Sequence, residues 1–395
     1  MDDDYLTPTW PAISGNDGTL LTEVAPLTGN VWIWAAPDDA PPSASTAILA
    51  LGQNVLVSAY RSDSDPPIDK TTNPLGQYSV NVPTKTGTLV ADLVSPDFSV
   101  FSAALDSGTL NADCDGDGVA DGSLYRVTQT WDTDVSLEYD FTLAGNDMDA
   151  KTASGNAYLH VNGAIDWVRS VLPSWNPEIP NGNQPNLTAI TNVPKHCYPP
   201  PIGGCVYLNC NAKYSPGTNR ILTGAGGDCG NGQTATNTAS STILRHEFGH
   251  LFVRTHSILT NPAACNENDY YGFDEGVSDA FAALSLGTSC IGEGFLSAGC
   301  LRDLDNETQY PVNGTDSHAK GKPIAAAFWH LREDIIAANP TNGARDTKAL
   351  FLLALQNNTA CWDSIRSDLV EVDSSFFSGQ YSALINAALN RHNIP

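Results

Sequence analysis

The chain of 395 residues is short of positive charge: 19 Lys and Arg stand against 44 Asp and Glu, a formal net charge of −25. Such a surface repels polyanions, so nucleic acid and anionic membrane are disfavoured as partners. Long apolar runs are lacking too. "ALFLLALQ", from Ala349, is among the longest, far below the roughly 20 residues of a spanning helix. No C-x-x-C pair occurs, which disfavours a thiolate zinc site or a thioredoxin-like redox motif. The opening "MDDDYLTPTW" has neither the basic nor the apolar region of a signal peptide and reads as the start of a mature chain.

What is present points outward from the cell. Nine cysteines occur, clustered from Cys197 to Cys300 with Cys114 and Cys361 as outliers. Disulfides in an oxidising compartment account for them best, so a secreted protein is expected. The odd count leaves at least one unpaired or intermolecular, and the pairing stays open. A hydrophobic content of 41% is that of a globular protein. The length suggests two domains.

Texture divides the chain near residue 145. Before it, short alternating runs such as "NVWIWAA", "NVLVSAY", "GQYSVNV", "GTLVADLV" and "VSLEYDFTL" are broken by Pro, Gly, Asp and Asn. They predict an antiparallel β-sandwich-like domain over 1–145, of accessory or prodomain-like kind. From there "NAYLHVNGAIDWVRSVL" has helical apolar spacing. A Gly-, Pro-, Asn- and Cys-rich stretch of strands and loops follows, about 173–232. Helices are then expected over 240–256, 273–286 and 323–338, with two or three beyond. The fold class is α+β, with residues 146–395 forming the second domain.

Two stretches carry chemistry. In "ILRHEFGHLF", residues 243–252, His246 and His250 fall one above the other on a helix, while Leu244, Phe248 and Leu251 face away. Two imidazoles so placed can share one zinc ion, and Glu247, just off their line, stands where a general base for water belongs. A catalytic zinc needs a third protein ligand. "YYGFDEGVSDAFAAL" offers Glu275, with Asp279 one turn on to orient a ligand histidine through its outer ring nitrogen. Read alone, that carboxylate pair is a solvated helix face; after the histidine pair the metal reading prevails.

H-E-x-x-H followed by a separate E-x-x-x-D helix resembles the gluzincin metallopeptidases, the thermolysin-like group, and within it the fungalysin-like enzymes. The likeness spans most of residues 150–340. It implies a thermolysin-like catalytic domain, zinc as cofactor and protein or peptide substrates. In "NAKY" it implies that Asn211 and Ala212 pair with substrate backbone, as in β-strand addition. In "DSHAKGKPIAAAFWHLRE" it implies that His318 donates to the developing oxyanion. Tyr270 or Tyr271 is open as a second donor, and Arg302 as an arginine for the substrate carbonyl. The expected protein is a monomeric, secreted zinc endopeptidase. The alternatives are a gluzincin aminopeptidase, disfavoured because no G-x-M-E-N-type loop occurs, and a surface adhesion protein with a structural zinc. A zymogen with a covered cleft is open as well.

The loop "DCDGDGVADG", residues 113–122, sets Asp113, Asp115, Asp117 and Asp121 with Gly118 at calcium-loop positions 1, 3, 5, 9 and 6, but Leu124 stands where the bidentate Glu belongs. Calcium as a structural clip competes with an Asx-rich turn that binds nothing. If calcium binds, chelating it at constant zinc lowers the melting temperature. A wild-type curve that ignores calcium, matched by Asp115→Ala/Asp117→Ala, discards the site.

Overall fold

The computed structural model describes residues 25–395 apart from 37–39, 41–47, 61–65, 83–86, 104–110, 113–121, 125, 132–136, 139–147, 178–186, 194, 198–204, 230–232, 257–266, 297–298 and 357–360. The acidic loop with Asp113, Asp115, Asp117 and Asp121 therefore lies outside the described residues. What is described is mixed α/β, with seven helices and several small sheets.

The alternating runs of the first part form strands. The long strand Ala25–Ala35 pairs antiparallel with Gln77–Val82 along its first half and with Ile48–Leu51 along its second. A second sheet orders Arg126–Trp131, Gly87–Asp92, Leu56–Tyr60 and Ile68–Thr71, all antiparallel. The third sheet crosses the textural divide. Its order is Ala212–Ser215, Arg220–Thr223, Leu187–Thr191, Phe98–Ser102, Gly122–Leu124, Asn111–Ala112. Phe98–Ser102 lies parallel to Leu187–Thr191, which in turn lies parallel to Arg220–Thr223. Strands from both sides of residue 145 thus share one ladder. One apolar core likewise runs from Leu27, Val31 and Val57 through to Leu389 and Ile394.

The helices are α1 (Met148–Arg169), α2 (Ser241–His256), α3 (Glu267–Leu286), α4 (Ser317–Ala338), α5 (Gly343–Gln356), α6 (Ile365–Phe377) and α7 (Ser382–Arg391). Helix α2 buries Leu244, Phe248, Leu251 and Phe252 completely. Phe248 meets Trp175 at 5.6 Å and Phe281 of α3 at 5.6 Å, centroid to centroid. Helix α3 turns Phe273, Val277 and Phe281 into the same core. Burying such side chains contributes about 1.5–3 kcal/mol each, which is how α2 and α3 are held rigidly side by side. Helix α4 begins at Ser317, ahead of the Pro323 that the sequence offers as a start. Asp316 caps it, accepting from the His318 N–H at 3.0 Å. Pro323 then sits inside the helix at the cost of one backbone bond.

Helix α1 carries His160 into the interior, where burial, helped by the Arg245 charge, pushes it down to about 3. Unfolded, it titrates near 6.5. The unfolded chain therefore takes the proton first as pH falls. Stability from this group is full above about pH 6.5 and drains away between there and about 3, by at most about 5 kcal/mol. His160→Gln should flatten the decline of melting temperature with acidification; an unchanged slope assigns the acid lability elsewhere.

Candidate metal centre

Three elements deliver the candidate site. The α2 stripe presents His246 and His250, α3 presents Glu275 one face over, and the first turn of α4 presents His318. Their inner atoms converge. Glu275 Oε2 lies 3.2 Å from His246 Nε2, 3.6 Å from His250 Nε2 and 3.1 Å from His318 Nε2. The Nε2 atoms of His246 and His250 are 3.1 Å apart. Among the described residues, His246, Glu275 and His318 have atoms close enough to share an ion, and so do His246, His250 and Glu275. His250 completes the group from the side.

The outer nitrogens settle which way the rings face. His246 Nδ1 is 2.7 Å from Asp279 Oδ1, off the line of a straight hydrogen bond. His250 Nδ1 is 3.0 Å from Asp274 Oδ1 and 3.0 Å from Ser278 Oγ. A carboxylate only accepts, so the Nδ1 positions carry the protons and the Nε2 lone pairs turn inward. Glu275 Oε2 is buried and receives no directed hydrogen bond. Acceptors this close must have either protons or a cation between them.

Charge supports the same view. Burial works against protonating His246, yet the Asp279 charge and the contacts with Asp279 and Glu275 lift it to about 9. His250 is raised well above its ordinary value, again against burial, by Asp274 and Glu275. Burial alone would raise Glu275, but the two histidines hold it well below the carboxylate range. Asp279 is likewise held down against its burial, first by Arg302 and then by His246. His318 differs: burial lowers it, with Glu275 pulling the other way. A divalent cation displaces such protons and binds the same lone pairs. Two imidazoles and a carboxylate form a donor set that suits zinc.

A cleft opens beside these groups, lined by Asn211, Ala212, Glu247, Arg302 and His318 among others. Ala212 begins the strand at the edge of the six-stranded sheet, paired on one side with Arg220–Thr223. The next N–H but one along that strand, from Tyr214, donates to Glu247 Oε2 at 2.6 Å. Arg302 clasps both oxygens of Asp279, Nε to Oδ2 at 2.7 Å and Nη2 to Oδ1 at 2.6 Å. Tyr270 is buried, its hydroxyl pushed up by that burial and by the Asp274 charge, while Tyr271 is exposed. Sequence reasoning missed Asp274 and Arg254, as well as the Tyr214 N–H. The H-x-x-x-H-x-x-x-R spacing of His246, His250 and Arg254 was the available signal.

No protein-family model matches the sequence, and no curated protein sequence does. Among solved structures, the chain is similar to the precursor of protealysin, a metalloproteinase from Serratia proteamaculans. The TM-score is 0.50 at 12% identity, over 75% of this chain and 87% of that one. At that identity the likeness is one of fold alone.

Glycine contacts bring α3 and α4 close enough to build the site. A Cβ at Gly321 would lie 2.5 Å from Gly276 N and 2.8 Å from Gly272 O. A Cβ at Gly276 would lie 2.2 Å from Gly321 O. Both obstacles are backbone, so any side chain there pushes the helices apart and His318 away from Glu275. Gly321→Ala should cost about 1–3 kcal/mol of unfolding free energy. Gly217→Ala, where a Cβ meets nothing within 4 Å, is the control. Denaturation midpoints that rank the two variants alike would refute the close-contact role.

Proposed function

We propose that this chain is a secreted zinc-dependent endopeptidase acting on protein or peptide substrates. The observation that carries the reading is the buried Glu275 Oε2, without a directed hydrogen bond and ringed by three imidazole nitrogens. His246, His250 and Glu275 would hold the ion, with Asp279 orienting His246. Zinc, when bound, supplies Lewis-acid polarisation of the scissile carbonyl and acidifies water.

The remaining steps belong to the chain's own groups. Glu247 accepts the proton of the attacking water and returns it to the leaving amine. The Tyr214 N–H at 2.6 Å fixes one oxygen of that carboxylate and leaves the other for the proton. His318 Nε2 donates to the developing oxyanion from the opposite wall. Arg302, buried and already fixed by Asp279, is the candidate to hold a substrate carbonyl. An extended peptide adds to the edge at Asn211 and Ala212, which an internal bond can reach as readily as a terminal one. Disulfides at Cys210–Cys229 and Cys290–Cys300 support an oxidising compartment. No described helix is long and apolar enough to cross a membrane. Calcium in the acidic loop is proposed on the residue pattern alone.

The two glutamates separate the roles. Glu275→Ala should lose zinc, and activity with it. Glu247→Gln keeps size and polarity, so it should retain stoichiometric zinc and a normal melting curve while kcat drops about 10²–10⁴-fold. Elemental analysis beside casein cleavage reads both. Full activity in Glu247→Gln rules the mechanism out.

A further inference from the structure

The histidine stripe of α2 continues past the two candidate ligands. His246, His250 and Arg254 stand four residues apart, so all three share one face of the helix. On α3, Asp274, Glu275, Ser278 and Asp279 meet that face. The result is two outer contacts of the same kind. On one side His246 backs onto Asp279, and Asp279 onto Arg302. On the other, His250 Nδ1 lies 3.0 Å from Asp274 Oδ1, and Asp274 Oδ2 lies 3.4 Å from Arg254 Nη2.

The two sides are not equal. Arg302 grips Asp279 through two bonds of 2.6–2.7 Å, whereas Arg254 touches Asp274 through one nitrogen at 3.4 Å. A carboxylate in a bidentate grip has most of its charge and lone pairs committed to the guanidinium. Asp274 keeps more of both for the imidazole. It is also buried, 2% exposed, where a lone carboxylate is costly unless charges or hydrogen bonds compensate it. The compensation comes from His250 on one oxygen and Arg254 on the other. Ser278 Oγ, at 3.0 Å from the same Nδ1, leaves the ring little freedom to turn.

We infer that Asp274, anchored by Arg254, is a positioning residue for the candidate metal site, fixing the tautomer and orientation of His250 and raising its strength as a donor. Asp279 does the same for His246, so each histidine of the H-E-x-x-H pair has its own carboxylate and each carboxylate its own arginine. This rests on the zinc reading above. It adds two residues to it, and assigns the less committed carboxylate to His250.

The test is zinc affinity, measured by competition with a chromophoric chelator on the purified full chain. Wild type and Glu275→Ala bracket the range. Asp274→Ala should weaken zinc binding about 10–100-fold. Asp274→Asn should recover part of that loss, because its amide oxygen still accepts from Nδ1. Arg254→Ala should weaken binding by less than Asp274→Ala, since it removes the anchor and leaves the contact. A merely structural role for Asp274 predicts a lower melting temperature for the metal-free protein with unchanged zinc affinity, and that pattern overturns the inference. If Asp274→Ala does not fold, wild-type affinity in Asp274→Asn together with Arg254→Ala overturns it equally. Should wild type itself bind no zinc, the zinc reading falls first and this one with it. Wild type binding zinc while Asp274→Ala binds it as tightly sinks only the inference.

Discussion

The site depends on keeping carboxylates ionised in a place where water cannot solvate them. Asp274 and Asp279 are buried between helices whose other faces are Leu, Phe and Val. An uncompensated charge there costs several kcal/mol. Each is in contact with an imidazole and a guanidinium, and Glu275 with imidazoles, while Arg302 reaches Glu275 only through space. The arginines complete the neutralisation of Asp274 and Asp279 from outside. Glu275 has no guanidinium in contact among the described residues, so it is the carboxylate whose nearest compensation can come from an ion. The chain has few cations to spend, and two of them stand behind this cluster.

Packing converts that electrostatic need into geometry. The α2 helix is pinned by Phe248 and Phe252 against Trp175 and Phe281, so the stripe opposite has one possible direction. Backbone contact at Gly276 and Gly321 brings α4 against α3 and sets His318 over Glu275. The edge strand is tied to the same point by the Tyr214 N–H on Glu247. Core, helix crossing and sheet edge thus all end within hydrogen-bond reach of one carboxylate group or its neighbour. A shift in any of them moves the polar cluster, since close-packed interiors transmit displacement instead of absorbing it.

Much of this was legible in the sequence because helical period is a strong signal. Spacing alone placed His246 and His250 on one face, Leu244, Phe248 and Leu251 on the other, and Glu275 with Asp279 on one side of the next helix. Arg302 could only be named, because its partner Asp279 is reached through the hairpin Cys290–Ile291 and Arg302–Asp303, a non-local pairing that no local pattern encodes. Pro323 pointed to a helix start, whereas the Asp316 cap begins the helix at Ser317 and puts His318 in its first turn. The change of texture at 145 marks only where the first helix, α1, follows the strands. It says nothing of which strands pair, and the ladder between Phe98–Ser102 and Leu187–Thr191 spans it. Nothing in the sequence marks Gly276 and Gly321, whose use appears only when two backbones meet.

The disulfides follow from the same economy. Beside the helices α2 and α4, two parts of the cleft wall are short strands and turns with little core beneath them: the apolar cluster there is Ala212, Ala235, Ile243 and Phe295. Each part carries a cross-link close to a residue the cleft uses. Cys210, bonded to Cys229 across 19 residues, immediately precedes Asn211. Cys290, bonded to Cys300 across 10, closes the loop that carries Phe295 and leads into Arg302. Loops of this length gain roughly 3 kcal/mol from closure in the chain-entropy account. That is comparable to what one buried aromatic side chain would supply, but it fills no space in the cleft. These two cross-links stand at the cleft; Cys361, also disulfide-bonded, lies instead in the main core beside Trp362, which packs on Phe273 of α3.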